Sequence, residues 1–233
     1  MSIFNHLRNT VIAAGAMLAA VPGIASGEEQ RGETVEQPAF EVLREEGLMQ
    51  LRRYAPTIEA RLTVEAASAK AAANDAFMRL AGYIFGANAG GETIAMTAPV
   101  TTQASGPVTV SGARPDAQTG AQTDAPTEAL TRPGAYTIAF TMPARWTLDS
   151  LPEPEDDGVT LDRVPQRDIA AWRKTGPLDD AQTEAAIDEL IAFARKAGFT
   201  PAGPPMRAGY DGPSVPEAER RNEVMLPIEK TGG

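Results

Sequence analysis

Cysteine is absent from this 233-residue chain, and histidine occurs once, at His6. Without thiols the protein can form no disulfide, carry no thiolate nucleophile and take no lipid at a cysteine. With His6 in a segment that reads as a removable leader, the mature chain also lacks imidazole. No Ser-His-Asp or Cys-His arrangement can then be assembled. Zinc-type ligand spacings, the Gly-x-Gly-x-x-Gly fingerprint and the phosphate-binding loop pattern are all missing. Aromatic residues make up only 6% of the sequence, with two tryptophans. The chemistry left is that of carboxylates, hydroxyls, Arg, Lys, Tyr, Met and shaped apolar surface.

Long hydrophobic runs are missing too. Val11–Ala20 is an unbroken stretch of apolar and small residues, shorter than the roughly 18–20 needed to span a membrane. It follows a short segment holding Arg8 and no acid, and precedes Pro22-Gly23 and the small residues Gly23, Ala25 and Gly27. This is the layout of a secretory signal peptide over residues 1–27, cut after Ala25 or Gly27. The reading places the mature protein in a bacterial periplasm or outside the cell, with no stable membrane span.

Positive charge is in deficit: 21 Lys and Arg stand against 31 Asp and Glu, a net −10. Leader removal takes away Arg8 and no acid, leaving 20 against 31, a net −11. A surface so acidic repels phosphate backbones, which excludes nucleic acid as the expected partner. The remaining chain suits one domain. We place it at 39–229, after a polar, acidic, flexible lead-in at 28–38. An insertion at 101–132 is rich in Ala, Thr, Gly, Gln, Pro and Asp. Its composition cannot bury enough surface to offset ordering entropy, so it reads as a disordered loop.

Periodicity supplies the elements. Phe40–Leu43 and Leu48–Tyr54 read as strands around a Glu45-Glu46-Gly47 turn. In Ile58–Val64, Ile58, Ala60, Leu62 and Val64 alternate with Glu59, Arg61 and Thr63, a half-buried strand. Ser68 caps a helix with Ala73, Phe77, Leu80 and Ile84 on one face. Ile94–Val100 begins a strand in which Pro99 implies an edge or a bulge. Tyr136–Met142, Val159–Val164 and Ile169–Trp172 are further strands. Asp179 and Gln182 form a capping box for a second helix, closed by Gly198. Pro201–Pro205 and Asp211–Pro216 read as turns, and Glu223–Ile228 as a last strand. Strand, strand, helix, strand thus occurs twice, and Gly47–Arg53 echoes Gly158–Arg163. The expected fold is α+β: two pseudo-symmetric β-β-α-β halves sharing one curved antiparallel sheet, with two helices packed on it.

Local patterns point further. Leu51-Arg52-Arg53-Tyr54, the Tyr83–Gly91 helix exit and Met96-Thr97-Ala98-Pro99-Val100 occur in the first half. Phe140-Thr141-Met142-Pro143, Val164-Pro165, Ala208-Gly209-Tyr210-Asp211 and Arg220-Arg221-Asn222-Glu223-Val224 follow. Taken singly, they read as a surface pair beside a half-buried Tyr, an edge strand, turns and a strand start. As an ordered set from Phe40 to Ile228 they resemble the SOUL haem-binding protein family. The resemblance implies a distorted antiparallel β-barrel of two pseudo-symmetric halves. It also implies a tetrapyrrole, haem or a relative, held non-covalently as a small, planar hydrophobic ligand in an apolar groove beside the first helix. By position that helix offers Lys70, Asn74, Phe77, Met78, Arg79 and Ala81. Phe77 and Met78 would pack the macrocycle, and Lys70 or Arg79 would pair a propionate. Histidine ligation does not carry over. Met78, Met96, Met206 and Tyr210 stay open as iron ligands, none singled out by spacing.

Rival readings remain beside this one. A binding module for another hydrophobic small molecule would use the same architecture. A carboxylate-dependent hydrolase would need a buried Glu or Asp facing a groove, with Tyr136 or Tyr210 nearby. A periplasmic interaction protein would need no small ligand. Sequence assigns no catalytic residue and no oligomeric state.

Overall fold

Ten strands share one mixed-length sheet in the computed structural model, which describes residues 35–105 and 134–232. The expected leader, most of the lead-in and positions 106–132 of the insertion lie outside the described residues. The strands are β1 (Phe40–Glu46), β2 (Met49–Tyr54), β3 (Thr57–Ala66), β4 (Val100–Ala104), β5 (Gly134–Thr141), β6 (Val159–Val164), β7 (Arg167–Thr175), β8 (Phe199–Pro201), β9 (Met206–Gly209) and β10 (Arg221–Lys230). Helices α1 (Ala69–Ile84) and α2 (Asp180–Lys196) follow β3 and β7. The path is β1-β2-β7-β10-β9-β4-β5-β3-β6, with β8 added on β10, and the pairings are antiparallel.

That path carries the duplication. Exchanging β2 with β6, β3 with β7, β4 with β9 and β5 with β10 reverses the order of those eight strands. The halves are therefore β-β-α-β-β rather than the expected β-β-α-β. The extra strand in the second half is β9, which lies between the expected turns at Pro201–Pro205 and Asp211–Pro216. In the first half, the strand expected at Ile94–Val100 sits instead at Val100–Ala104, so the insertion begins after Ala104. The expected barrel also needs correction: the sheet is open. Its terminal strands β1 and β6 have no outer strand partner among the described residues. Both carry charge there, Glu41, Arg44, Glu45 and Glu46 on one and Asp162 and Arg163 on the other, which suits solvated edges.

Each helix is specified locally. Ser68 Oγ accepts from the Ala71 N–H at 3.3 Å, and Asp179 and Gln182 complete the capping box of α2. Gly198 follows α2 at φ +80°, a conformation that costs a residue with a Cβ. Strand alternation then divides the side chains between two faces. The helix-covered face buries Leu51, Leu62, Ile138, Phe140, Val224 and Leu226 against Leu80, Ile84, Ile187 and Leu190. Alternate residues on the opposite face form a smaller cluster: Tyr54, Ile169, Ala171, Met206, Ala208 and Met225, with Phe40 and Tyr210 against it.

Candidate functional site

Helix α1 distributes its residues at 100° intervals, which separates the expected site into two sides. Lys70, Asn74, Phe77, Met78 and Ala81 fall within about 100° of arc, while Arg79 points to the far side. Phe77 is 38% exposed at the margin of the core, its ring 5.5 Å from that of Phe140, so it only half joins the face of Leu80 and Ile84. Met78 is 71% exposed, and Phe85, at the C-cap, 66%. Lys70 and Asn74 are exposed, and Ala81 is buried. Arg79 donates to both oxygens of Asp156, at 2.6 and 2.5 Å. That bond and the Gly158 N–H hold the Asp156 carboxyl at about 2. Arg79 is thus engaged in tying α1 to the turn before β6.

The iron-ligand candidates do not converge. Met78 is on α1, Met96 packs half-buried against the main core, and Met206 is buried on the opposite sheet face. Tyr210 Oη donates to Glu223 Oε2 at 2.7 Å. Burial first, then the Glu223 charge, pushes the Tyr210 hydroxyl well above its ordinary range, which opposes a phenolate. Among the described residues, no group of three or more His, Cys, Asp or Glu is arranged to hold a metal ion.

The surface Arg-Arg pair read from sequence is a surface pair in only one member. Arg52 is 3% exposed. Its guanidinium donates to Gln50 Oε1 at 2.7 Å, Tyr54 Oη at 3.0 Å and both oxygens of Glu223 at 2.8 and 2.7 Å. It also stacks 4.5 Å from the centroid of Phe40. Burial works against the charge on Arg52, but the Glu223 carboxylate outweighs it and raises the pKa above the ordinary value. Arg53, on the other side of the strand, pairs with Asp168. On β3, buried Glu59 accepts from Arg61 at 3.0 Å and Arg167 at 2.8 Å. Glu59 is thus held between two arginines and Glu223 between Arg52 and the Tyr210 hydroxyl, so neither offers a free carboxylate of the kind a hydrolytic base requires. Tyr136 lies in the helix-side core, apart from both.

Two sizeable cavities lie away from α1. A crevice of about 960 Å³ runs past Arg52, Glu223 and Tyr210 to Trp172 and the α2 residues Ala185 and Glu189. A second, of about 670 Å³, lies where the β2–β3 and β6–β7 turns meet the chain following β5. Its walls include Met142-Pro143 and Val164-Pro165, two motifs prominent in the sequence. Trp146, just beyond the first, completes them, although no periodicity marks it. The Arg52–Glu223 pair was equally hidden: its members are 171 positions apart.

The family model described as "SOUL heme-binding protein" matches residues 35–227. The chain belongs to this family. Comparison with curated proteins finds no match. Among solved structures, the SOUL protein is similar to the EcmrR C-terminal domain at 13% identity and TM-score 0.53, over 78% of this chain and 97% of that one. An EcmrR–DNA complex matches at 14% identity and TM-score 0.51, over 78% of this chain and 58% of that chain, a little more than half its length. An uncharacterized conserved protein from Listeria innocua matches at 11% identity and TM-score 0.50, over 77% and 92%. At these identities the likeness concerns the fold.

Proposed function

We propose that this SOUL protein is exported and binds haem or a related tetrapyrrole reversibly on the apolar side of α1, for carriage or buffering. One observation carries the placement. The exposed large hydrophobic residues among those described are Val35, Leu48, Phe77, Met78 and Phe85, and three of these lie on α1 or its C-cap. An apolar strip concentrated on one helix is the kind of surface that marks a binding site. The chain's residues fit a porphyrin face better than an iron centre. Phe77 and Met78 supply contact area, Lys70 supplies a cation for a propionate, and no imidazole or thiolate supplies an axial bond. Arg79 is left to its structural pair with Asp156. The carboxylate-hydrolase alternative is weakened because Glu59 is held by Arg61 and Arg167, and Glu223 by Arg52 and Tyr210.

Burying roughly 400 Å² of apolar macrocycle yields on the order of 10 kcal/mol gross. Association and ordering cost roughly 4–15 kcal/mol. At the low end of that cost about 6 kcal/mol remains, an affinity of roughly tens of micromolar, and iron contributes little to it. Titration with hemin and with metal-free protoporphyrin should therefore give saturable Soret shifts with similar affinities. Met78→Ser, at a position too exposed to threaten folding, should weaken both by about tenfold or more. Lys70→Glu should weaken both as well. Non-saturable binding, or affinities unchanged in both variants, would overturn the placement. Export is tested separately: the secreted protein should begin at Ser26 or Glu28 by mass spectrometry, and an intact Met1 would refute it.

A further inference from the structure

We infer that the cavity of about 670 Å³ at the β2–β3 and β6–β7 turns is a second ligand site, built for a small amphiphilic anion with an apolar body and one carboxylate. No residue of α1 lines it, so the inference stands apart from the tetrapyrrole reading. Its volume lies within the roughly 300–1,000 Å³ typical of small-molecule sites.

The walls are apolar and stiff. Ile58, Met142, Val164 and the Trp146 ring form much of the lining, and Pro38, Pro56, Pro143 and Pro165 frame it. Proline fixes its own φ, so little ordering cost falls on a ligand that enters. The lining holds two charged residues, Glu36 and Arg163. Glu36 is turned toward the backbone: its Oε1 accepts from the Ala144 N–H at 2.7 Å, and its main chain bridges to Thr97. Arg163 is exposed and has no carboxylate partner among the described residues.

That lack of a partner is unusual for this chain. Acids outnumber bases by 31 to 21, and Arg53, Arg61, Arg79, Arg167, Arg173, Arg207 and Arg221 each hold a carboxylate. Of the other described arginines, Arg145, Arg195 and Arg220 also lack one, and Arg145 stands between the cavity-lining Ala144 and Trp146. Its guanidinium lies 5.3 Å from the centroid of Trp146, the ring that forms the cavity wall. Arg163 therefore lines one apolar cavity, and Arg145 covers the Trp146 ring of its wall, on an otherwise acidic protein. A guanidinium binds a carboxylate in a planar, two-point geometry, which selects a carboxylate-bearing ligand over a neutral one. The ligand's apolar body would lie on the proline and Trp146 walls, its carboxylate at the mouth.

Trp146 provides the readout. Trp172→Phe leaves Trp146 as the sole tryptophan, and this variant serves as the parent. The probes are 1-anilinonaphthalene-8-sulfonate and its uncharged analogue N-phenyl-1-naphthylamine, with decanoate as competitor. The sulfonate dye should bind at one site, accept energy from Trp146 and be displaced by decanoate. Arg163→Glu should weaken the sulfonate dye and decanoate by about ten- to a hundredfold, while changing the uncharged dye by less than about threefold. Ala144→Phe fills the cavity from an exposed wall position and should block both dyes. Near-UV circular dichroism verifies that each variant keeps its tertiary packing. Met78→Ser should leave dye binding unchanged, whatever it does to hemin. Equal affinity for the two dyes with no effect of Arg163→Glu would overturn the inference. So would undiminished dye binding in folded Ala144→Phe.

Discussion

Glu223→Gln tests whether the buried polar network is structural or is held for chemistry. Arg52 and Glu223 expose 3% and 8% of their side chains and share hydrogen bonds of 2.7 and 2.8 Å. Neutralising the carboxylate leaves a buried guanidinium without counter-charge and turns an amide N–H toward one of its donors. Breaking such a pair from one side costs about 3–5 kcal/mol. At about 2–4 °C per kcal/mol for a chain of this size, Tm should fall by about 6–20 °C. Removing both charges, in Arg52→Met/Glu223→Met, should recover part of that loss. Recovery is limited because the Tyr54 and Tyr210 hydroxyls lose their partners, at about 1–3 kcal/mol each. Thermal unfolding of Arg52→Met, Glu223→Met and the double variant closes the cycle. If Glu223→Gln unfolds at or above the parent temperature, the carboxylate is not holding the fold together. Its position beside Tyr210 in an open crevice would then revive the hydrolase reading.

Two further outcomes concern the tie between α1 and the β6 turn. The Asp156 carboxyl is held at about 2 against an ordinary 3.8, so its stabilisation is complete above about pH 4 and is lost as pH falls through about 2. The Tm difference between parent and Asp156→Asn should be constant from pH 7 to 5, equivalent to about 0.2–1 kcal/mol for this partly exposed pair, and vanish only below pH 2. A difference that grows on acidification refutes the assignment. At Gly158, an added Cβ would lie 2.6 Å from Arg79 Nη2 and 3.0 Å from Leu62 Cδ1. Gly158→Ala should cost about 1–3 kcal/mol in denaturant unfolding. The cost should shrink in an Arg79→Ala background, and additive effects would show that the contact is not the cause.

The sequence made legible what is written locally. Alternation in Ile58–Val64, the Ser68 cap and the Asp179–Gln182 box located β3, α1 and α2 to within a few residues, because each signal sits inside its own element. The duplicated order was also visible, since the echo at Gly47 and Gly158 marks equivalent strands. Strand β9 escaped notice because four residues after Pro204-Pro205 carry too short a pattern to outweigh two prolines. Strand β4 was displaced because Thr101–Ala104 is polar, yet it is paired on both sides, by β5 and β9. Arg52 looked like a surface residue because burial of a charge depends on a partner, and its partner is on the last strand. The same limit hid the cavity at Trp146, whose walls come from five separated stretches of chain. On α1, helix arithmetic alone separates Arg79 from Lys70, but only the Asp156 contact shows what Arg79 does there.

Strand β2 takes its inner neighbour from β7, and β3 takes one from β6, while β4 meets β9 at the centre. These are the reciprocal contacts that two copies of a single half would make across a twofold axis. The molecule is arranged as two such halves joined in one polypeptide. Neither half is a separable module: a fragment ending before Gly158 would leave three strands, β2, β3 and β4, each short of a mate, and would find them in other fragments.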